Sequence, residues 1–226
     1  MKAPHSAIVL LSGGLDSSTA LYWASRHGWR VTALTVGYGQ RHLRELSAAR
    51  AVARALSAPM QEVSLSLPWL KSSSLVDRGK PLPDVPLAGI GAGGIPSTYV
   101  PGRNAIFLSL AVSLADAEGA QAVVIGANSL DYSGYPDCRP DFISAFGKVA
   151  KLGTRSGAEG AGIRVLAPLA RLDKKGIVEM AVRLKVPLEL TWSCYRGEAK
   201  PCASCDSCKL RSAGFRQAGV ADPAAA

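Results

Sequence analysis

The stretch Ser12-Gly13-Gly14-Leu15-Asp16-Ser17-Ser18 determines how the rest of the chain is interpreted. It follows the apolar run 8–11, which predicts a short buried strand, and it precedes residues 19–26, which predict a helix. The adjacent glycines allow a tight turn with open amide groups, and the first amides of a helix lack internal partners. The turn therefore predicts a site for an anion such as a phosphate. By itself, the same stretch is also compatible with a plain glycine turn and a serine N-cap.

The turn differs from the common nucleotide-binding loops. The pattern Gly-x4-Gly-Lys-Ser/Thr is absent, no lysine follows the turn, and the turn itself is not of the Gly-x-Gly-x-x-Gly type. The pattern Ser-Gly-Gly-x-Asp-Ser instead resembles the signature of the ATP pyrophosphatase (PP-loop) family. Members of that family cleave ATP between the α and β phosphates and adenylate an oxygen of their substrate. The resemblance implies transfer of AMP and not of the γ-phosphoryl group.

Length and composition set the outer limits. With 226 residues, 48% of them hydrophobic, the chain is long enough for one α/β domain with an appendage. No stretch approaches the roughly 20 apolar residues of a membrane helix, and the N-terminal residues do not resemble a signal peptide. We therefore expect a cytoplasmic protein without membrane association.

The net charge of +9 suits a polyanionic ligand such as ATP or a nucleic acid. However, the basic residues are scattered, and aromatic residues make up only 6% of the chain. A dedicated nucleic-acid surface usually combines clustered Lys and Arg with stacking aromatic rings. We therefore expect no stable complex with nucleic acid.

Strand and helix patterns alternate along the chain. Runs of apolar and β-branched residues predict strands at 8–11, 31–36, 60–65, 122–125 and 163–166, and helical periodicity predicts helices at 19–26, 44–56, 105–117, 140–152 and 173–184. This order predicts a Rossmann-like parallel sheet with helices on both faces. In such sheets, ligands bind beyond the carboxyl ends of the strands.

Polar residues follow several of these predicted strand ends. Residues 37–42 include His42, and residues 126–139 offer carboxylate, phenol and guanidinium groups suited to a flat polar heterocycle. At the start of the third predicted helix, Asn104 is expected to cap the helix while Arg103 faces an anion. The proline- and glycine-rich residues 66–102 predict a long loop, of which we expect about 72–95 to be mobile, as a lid or a plain insertion.

Four cysteines near the C-terminus predict a metal site. Cys194, Cys202, Cys205 and Cys208 follow the pattern Cys-x7-Cys-x2-Cys-x2-Cys, and four thiolates at this spacing can surround one zinc ion tetrahedrally. Such a site has no open coordination position, so its zinc would be structural. An iron–sulfur cluster remains the alternative, since it also uses four cysteines. Cys138 lies outside the spacing and is expected to be a small buried residue.

Taken together, these motifs resemble the 7-cyano-7-deazaguanine synthase family, which belongs to the ATP pyrophosphatases. The resemblance covers nearly the whole chain and is carried by residues 12–18, 38–42, 95–104, 131–139, the pairs 168–169 and 173–174, and 191–195 with the three later cysteines. One departure is Ala203, where the family usually has glycine between the first two cysteines of the Cys-x2-Cys-x2-Cys run.

The resemblance implies that 7-carboxy-7-deazaguanine and ammonia are converted, with ATP and Mg²⁺, into a nitrile through an adenylated carboxylate and an adenylated amide. It implies a nucleotide-binding domain of the adenine nucleotide alpha hydrolase type over residues 1–190, one structural zinc in segment 191–226, and a homodimer. Free ammonia is expected to be the nitrogen source, since no glutaminase motif is visible. A PP-loop enzyme that thiolates tRNA or forms lysidine in tRNA is the alternative.

The implied site residues fall into four sets. Catalysis is assigned to Asp16, Arg103 and Lys174. ATP binding is assigned to Leu10, Leu11, Ser12, Gly13, Gly14, Leu15, Asp16, Ser17 and Ser18. Substrate binding is assigned to Tyr38, Gln40, Arg41, His42, Asn104, Asp131, Tyr132, Tyr135, Asp137 and Arg139. The metal is assigned to Cys194, Cys202, Cys205 and Cys208.

Overall fold

A computed structural model describes residues 5–128 and 134–224. Their centre is a parallel sheet of five strands, in the order β3-β2-β1-β4-β5. The strands are β1 (Ser6–Leu10), β2 (Arg30–Gly37), β3 (Met60–Ser64), β4 (Ala122–Val124) and β5 (Arg164–Leu166). In the central pair, Ile8 of β1 lies opposite Thr32 of β2 and Val123 of β4. The predicted fold class, a parallel sheet with helices on both faces, is confirmed.

Helices follow the strands along the chain, as the parallel pairing of the strands requires. They are α1 (Leu15–Arg26), α2 (Arg44–Ala55), α3 (Arg103–Glu118), α4 (Pro140–Leu152), α5 (Arg155–Ala158), α6 (Lys174–Arg183) and α7 (Asp206–Gln217). The bounds of α4 agree with the sequence prediction, whereas α1 begins four residues earlier than predicted and α3 two residues earlier. Neither the short α5 nor α7 was predicted.

Alternating side chains of the sheet build two hydrophobic cores. Ala7, Val9 and Leu11 point to a core that also contains residues of α1, α2, α6 and α7. Ile8 and Leu10 point to the opposite core, which contains residues of α3 and α4. Successive residues of a strand face opposite sides of the sheet. A strand that is apolar on both sides must therefore be covered by helices on both faces of the sheet.

The proline- and glycine-rich region lies against the body of the protein over part of its length. Its 3-10 helix Pro68–Ser72 buries Leu70, and Ser73 and Ser74 are fully buried. The backbone amide of Ser74 donates to the carbonyl of Ser97 at 2.8 Å. Mobility of residues 72–95 stays a prediction, but the start of this segment packs into a small core beside the cavity described below.

The C-terminal segment shares a core with the sheet domain. Phe215 of α7 is 2% exposed and belongs to the same core as Ile177 of α6. Arg211 of α7 is also buried, and its guanidinium holds both oxygens of Asp222, at 2.7 and 2.8 Å, and the hydroxyl of Thr191 at 2.8 Å. The boundary at residue 190 therefore stays a prediction. Over the described ranges, no helix has the length and apolar character needed to span a bilayer.

Candidate active site

A cavity opens beyond the carboxyl ends of β1, β2 and β4. Its walls include residues 10–12 after β1, residues 34–36 of β2 and residues 125–128 after β4. The first turn of α1, the first residues of α3 and Lys174 of α6 complete the walls. The cavity thus occupies the place where parallel α/β sheets bind their ligands.

Gly13 fixes the position of the turn between β1 and α1. Its φ is +80°, and a Cβ there would lie 2.4 Å from the amide nitrogen of Ala49 and 2.5 Å from the carbonyl oxygen of Glu45. Only glycine allows helix α2 to approach the turn this closely. The carbonyl of Gly13 also accepts a hydrogen bond from the backbone amide of Trp192 at 2.9 Å.

The hydroxyl groups of the turn face one another. The Oγ atoms of Ser12 and Ser17 are 3.0 Å apart, and the amide of Ser12 donates to Ser17 Oγ at 3.1 Å. Ser12 and Ser17 line the cavity, whereas Ser18 is fully buried and its Oγ has no hydrogen-bond partner among the described residues. The turn therefore presents hydroxyls and the unpaired amides of a helix start to the cavity.

Lys174 and Asp16 form an ion pair on the cavity wall. Lys174 is 7% exposed, and its Nζ donates to both carboxylate oxygens of Asp16 at 2.8 Å. Asp173 caps α6 by accepting from the amide of Gly176 at 2.8 Å, as the sequence predicted, and this fixes the start of the helix. Gly214 of α7 makes room for the lysine stem, because a Cβ there would lie 2.4 Å from Lys174 Cγ.

Arg103 lies at the start of α3, on the same cavity. It shares the cavity wall with the buried Tyr38. Burial raises the pKa of the Tyr38 phenol, and the positive charge of the nearby Arg103 opposes that shift. The structure thus brings the predicted catalytic residues Asp16, Arg103 and Lys174 to one cavity.

Asn104 does not cap helix α3, so the predicted N-cap role of this residue was wrong. The N-cap is Gly102, at φ +61°, and no side chain bonds to the cap. Asn104 is instead buried, with its Nδ2 donating to the carbonyl of Asp137 at 3.0 Å and to Cys138 Sγ at 3.2 Å. Its own amide donates to the Asp137 carboxylate at 2.9 Å. These bonds fix residues 136–138 against α3. Cys138 lies in the same buried place, and its burial raises the pKa of the thiol to about 11.

The other predicted substrate residues are distributed differently. Gln40 and Tyr135 line the cavity, and the phenol of Tyr135 lies 2.7 Å from Thr98 Oγ1. Four others are not on its wall: Asp137 is buried beneath Asn104, Arg139 is exposed, Arg41 bonds to the carbonyls of Arg78 and Lys80, and His42 packs on Gly197. Asp131 and Tyr132 lie outside the described residues.

Several cavity residues were not predicted to belong to the site. Glu45 comes from the first turn of α2, and Trp192, Ser193 and Tyr195 come from the C-terminal segment. The guanidinium of Arg44 stacks over the Trp192 ring at 4.9 Å, and its Nε donates to the carbonyl of Gly197 at 3.2 Å. The motif at 191–195 was visible in the sequence, but nothing in it indicated that the segment returns to the first turn.

The four C-terminal cysteines converge as the spacing predicted. The Sγ atoms of Cys194, Cys202, Cys205 and Cys208 all lie within 4.8 Å of one another. Thiolates bound tetrahedrally at about 2.3 Å to one zinc ion would be about 3.8 Å apart, so the arrangement fits a single ion. The backbone amides of Arg196 and Cys202 point at Cys194 Sγ.

The fold and the cavity together define an α/β protein with a PP-loop-like fold and a ligand-sized cavity beyond the carboxyl ends of its parallel strands. Among solved structures, the NMN synthetase from Francisella tularensis resembles this chain with a TM-score of 0.50 and 16% identity, over 97% of this chain and 79% of that one. At this identity the likeness concerns the fold alone.

Sequence relatives identify the family. The family model described as queuosine biosynthesis protein QueC matches residues 6–219. Curated relatives named 7-cyano-7-deazaguanine synthase come from Synechococcus sp. strain RCC307, 51% identical over 96% of this chain and 97% of that protein, and from strain CC9605, 51% identical over 96% of each. The chain belongs to the QueC family. It is therefore an enzyme, a ligase of queuosine biosynthesis that acts on small-molecule substrates.

Proposed function

We propose that this enzyme converts 7-carboxy-7-deazaguanine and ammonia into 7-cyano-7-deazaguanine and cleaves ATP to AMP and pyrophosphate. The observation that carries the proposal is the cavity itself, in which a lysine-free glycine turn, Arg103 and the Lys174–Asp16 pair face the same space. The names of the relatives, at about half identity over nearly the full length, support the same substrates.

The chemistry follows from the poor reactivity of a carboxylate. In the first half, a carboxylate oxygen attacks the α-phosphorus of ATP, pyrophosphate leaves, and ammonia then displaces AMP to form an amide. In the second half, the amide oxygen is adenylated in the same way, and loss of AMP and of the nitrogen-bound protons gives the nitrile. Both halves need one nucleotide site and one site for the heterocycle, so a single cavity can serve both.

Positive charge near the turn would stabilise the departing pyrophosphate. In our proposal, the amides and hydroxyls of residues 12–18 bind phosphate oxygens, and Arg103 and Lys174 neutralise the charge that develops. Asp16 and Tyr38 act as positioning residues, since Asp16 holds Lys174 by two hydrogen bonds and Tyr38 lies close enough to Arg103 for that charge to affect its pKa. Magnesium would accompany ATP, and an indirect contact with Asp16 would have to share the carboxylate with Lys174.

The heterocycle would lie on the α3 side of the cavity. Tyr135 and Gln40 face this space, and Asn104 holds residues 136–138 in place. We infer that Asp131 and Tyr132 read the deazaguanine edge, an assignment that rests on the family resemblance. Arg41, His42, Asp137 and Arg139 would act from outside the cavity wall, through the loops that they hold.

We also propose that the four cysteines hold one structural zinc ion. Four Sγ atoms within 4.8 Å of one another favour a single ion over an iron–sulfur cluster, whose cysteines bind separate iron atoms. With four thiolates bound, zinc would keep no position for substrate. Metal analysis with an absorption spectrum tests this, because a brown protein containing iron and sulfide contradicts it. A homodimer and a cytoplasmic location remain predictions.

The function is tested by incubating the enzyme with ATP, 7-carboxy-7-deazaguanine and an ammonium salt. We expect the nitrile by mass spectrometry, with AMP and pyrophosphate as nucleotide products. Lys174→Met should abolish AMP formation, whereas Lys175→Met should not, because Lys175 is half-exposed and its neighbour Glu179 is 3.7 Å away on the same helix. ADP as the product, or ATP turnover stimulated only by tRNA, would overturn the proposal and favour a tRNA-modifying enzyme.

A further inference from the structure

Glu45 is a carboxylate on the cavity wall that makes no hydrogen bond or ion pair with another described residue. It lies in the first turn of α2, is half-buried, and faces the cavity shared by Asp16, Arg103 and Lys174. Over residues 5–128 and 134–224, the structure records no hydrogen bond or ion pair to its side chain. By contrast, Asp16 is held by Lys174 and Asp137 by the amide of Asn104. A half-buried acid that makes no hydrogen bond within the protein indicates that a ligand group belongs beside it.

The position of Glu45 is fixed by the nucleotide turn. Its carbonyl oxygen is one of the atoms that a Cβ on Gly13 would meet, at 2.5 Å. Helix α2 therefore packs directly against the turn. This close packing places Glu45, in the first turn of the helix, beside the residues that are proposed to bind the phosphates.

The surroundings of Glu45 favour proton transfer near neutral pH. Burial raises its pKa to about 7, the positive charge of Arg103 opposes this shift, and the negative charge of the Cys194 thiolate adds to it. Tyr38 also faces this acid, and Glu45 contributes to the raised pKa of that phenol. An acid with such a pKa can accept a proton and release it again at the operating pH of the enzyme.

The proposed reaction contains one substrate that suits this site. Ammonia is mostly ammonium at neutral pH, as the ordinary pKa of a lysine amine illustrates, and ammonium cannot attack a carbonyl. We propose that Glu45 binds the ammonium ion and accepts its proton, so that ammonia is released next to the adenylated carboxylate. This inference rests on the proposed function and names the general base for it.

The protons and the bonds of this step are all accounted for. One proton passes from ammonium to the Glu45 carboxylate and then to solvent. The nitrogen lone pair forms a C–N bond to the carbonyl carbon, and the C–O bond to AMP breaks. A second proton leaves the nitrogen as the amide forms, and the departing phosphate of AMP accepts it. The products are the amide, AMP and one proton released to water.

Glu45→Gln tests the role as general base separately from any role in adenylation or in binding the heterocycle. Glu118→Gln is the matched control. Glu118 is exposed at the far end of α3. Exchange of labelled pyrophosphate into ATP, with the carboxylate substrate and without ammonia, reports adenylation alone. We expect Glu45→Gln to keep this exchange within about threefold, which also shows that it is folded. Single-turnover amide formation with ammonium should fall by about 10²–10⁴-fold, the usual effect of removing a general base.

Two further measurements complete the test. Hydroxylamine, which is largely unprotonated at neutral pH, should restore transfer from the adenylate in Glu45→Gln to near the wild-type rate. In the wild type, transfer to ammonium should rise with pH through about 7 more steeply than in the variant, because only the deprotonated carboxylate accepts a proton.

Three results would overturn the inference. One is an unchanged ammonium step in Glu45→Gln, and another is a failure of hydroxylamine to restore transfer. The third is loss of pyrophosphate exchange with a raised KM for the carboxylate, which would assign Glu45 to reading the heterocycle. If the wild type forms no nitrile in the same assay, the proposed function fails, whatever the variant does.

Discussion

Replacement of Gly13 by alanine should destabilise the protein through two separable effects. At φ +80°, alanine carries the cost of a left-handed conformation, about 1–2 kcal/mol. Its Cβ would also lie 2.4 Å from the amide nitrogen of Ala49 and 2.5 Å from the carbonyl of Glu45. Both atoms belong to the backbone of α2, so the helix must shift, and such overpacking costs about 1–3 kcal/mol. The sum is about 2–5 kcal/mol, against a total stability of about 5–15 kcal/mol for a typical domain.

Gly28→Ala is the matched control. Gly28 follows α1 at φ +81°, and a Cβ there would meet no atom within 4 Å. Gly28→Ala therefore has the cost of the left-handed backbone conformation but no steric clash with another part of the protein. Urea unfolding of both variants should show Gly13→Ala less stable than Gly28→Ala by about 1–3 kcal/mol. Only Gly13→Ala should also weaken ATP binding. Equal stabilities would refute the argument that α2 is locked against the turn.

Three other predictions concern the C-terminal segment. Ala203→Gly should raise the unfolding free energy by about 0.5–1 kcal/mol, because Ala203 has φ +57° and the strain exceeds the added entropy of glycine in the unfolded chain; a lower urea midpoint would contradict this. Arg211→Ala should cost about 3–5 kcal/mol, because it leaves the carboxylate of Asp222, a side chain that is 10% exposed, without its cationic partner. The exposed Arg216→Ala should change stability by less than about 0.5 kcal/mol, and similar losses in both variants would refute the difference. Removing the metal with a chelator should lower both Tm and ATP affinity, as measured by calorimetry, and metal should restore both; an apoprotein with unchanged ATP affinity would disconnect the cluster from the nucleotide site.

The layout of the sheet could be predicted because its signals are local. Strands buried on both faces are continuously apolar, as in 8–11 and 31–36, and helices α2 and α4 show a clear periodicity. Helix α7 was missed because its buried face includes Arg211, Ser207 and Asp206, which look like surface residues in a sequence. Such side chains become buried only when their tertiary partners are present.

The site could be predicted where chemistry and position coincide in a short motif. The turn at 12–18, Arg103 and Lys174 follow this rule, and the structure brings them to one cavity. Asn104 shows where a local rule fails: a polar residue at a helix start usually caps it, but here the bonds to Asp137 and Cys138 compete with that role. Glu45 gave no signal at all, since an acid in the first turn of a helix is ordinary and its burial depends on how α2 packs.

The C-terminal segment contributes to the candidate active site although it lies about 180 residues after the first turn. Trp192 lies two residues before Cys194, the first cysteine of the cluster, and its amide donates to the carbonyl of Gly13. On the other side of Cys194, the carbonyl of Gly197 accepts from Arg44, in the helix that carries Glu45. The cysteine cluster therefore lies between two contacts, one with the turn at residues 12–18 and one with α2. A closed four-thiolate site suits this position, because an ion without an open coordination position can hold the segment in place and take no part in the reaction.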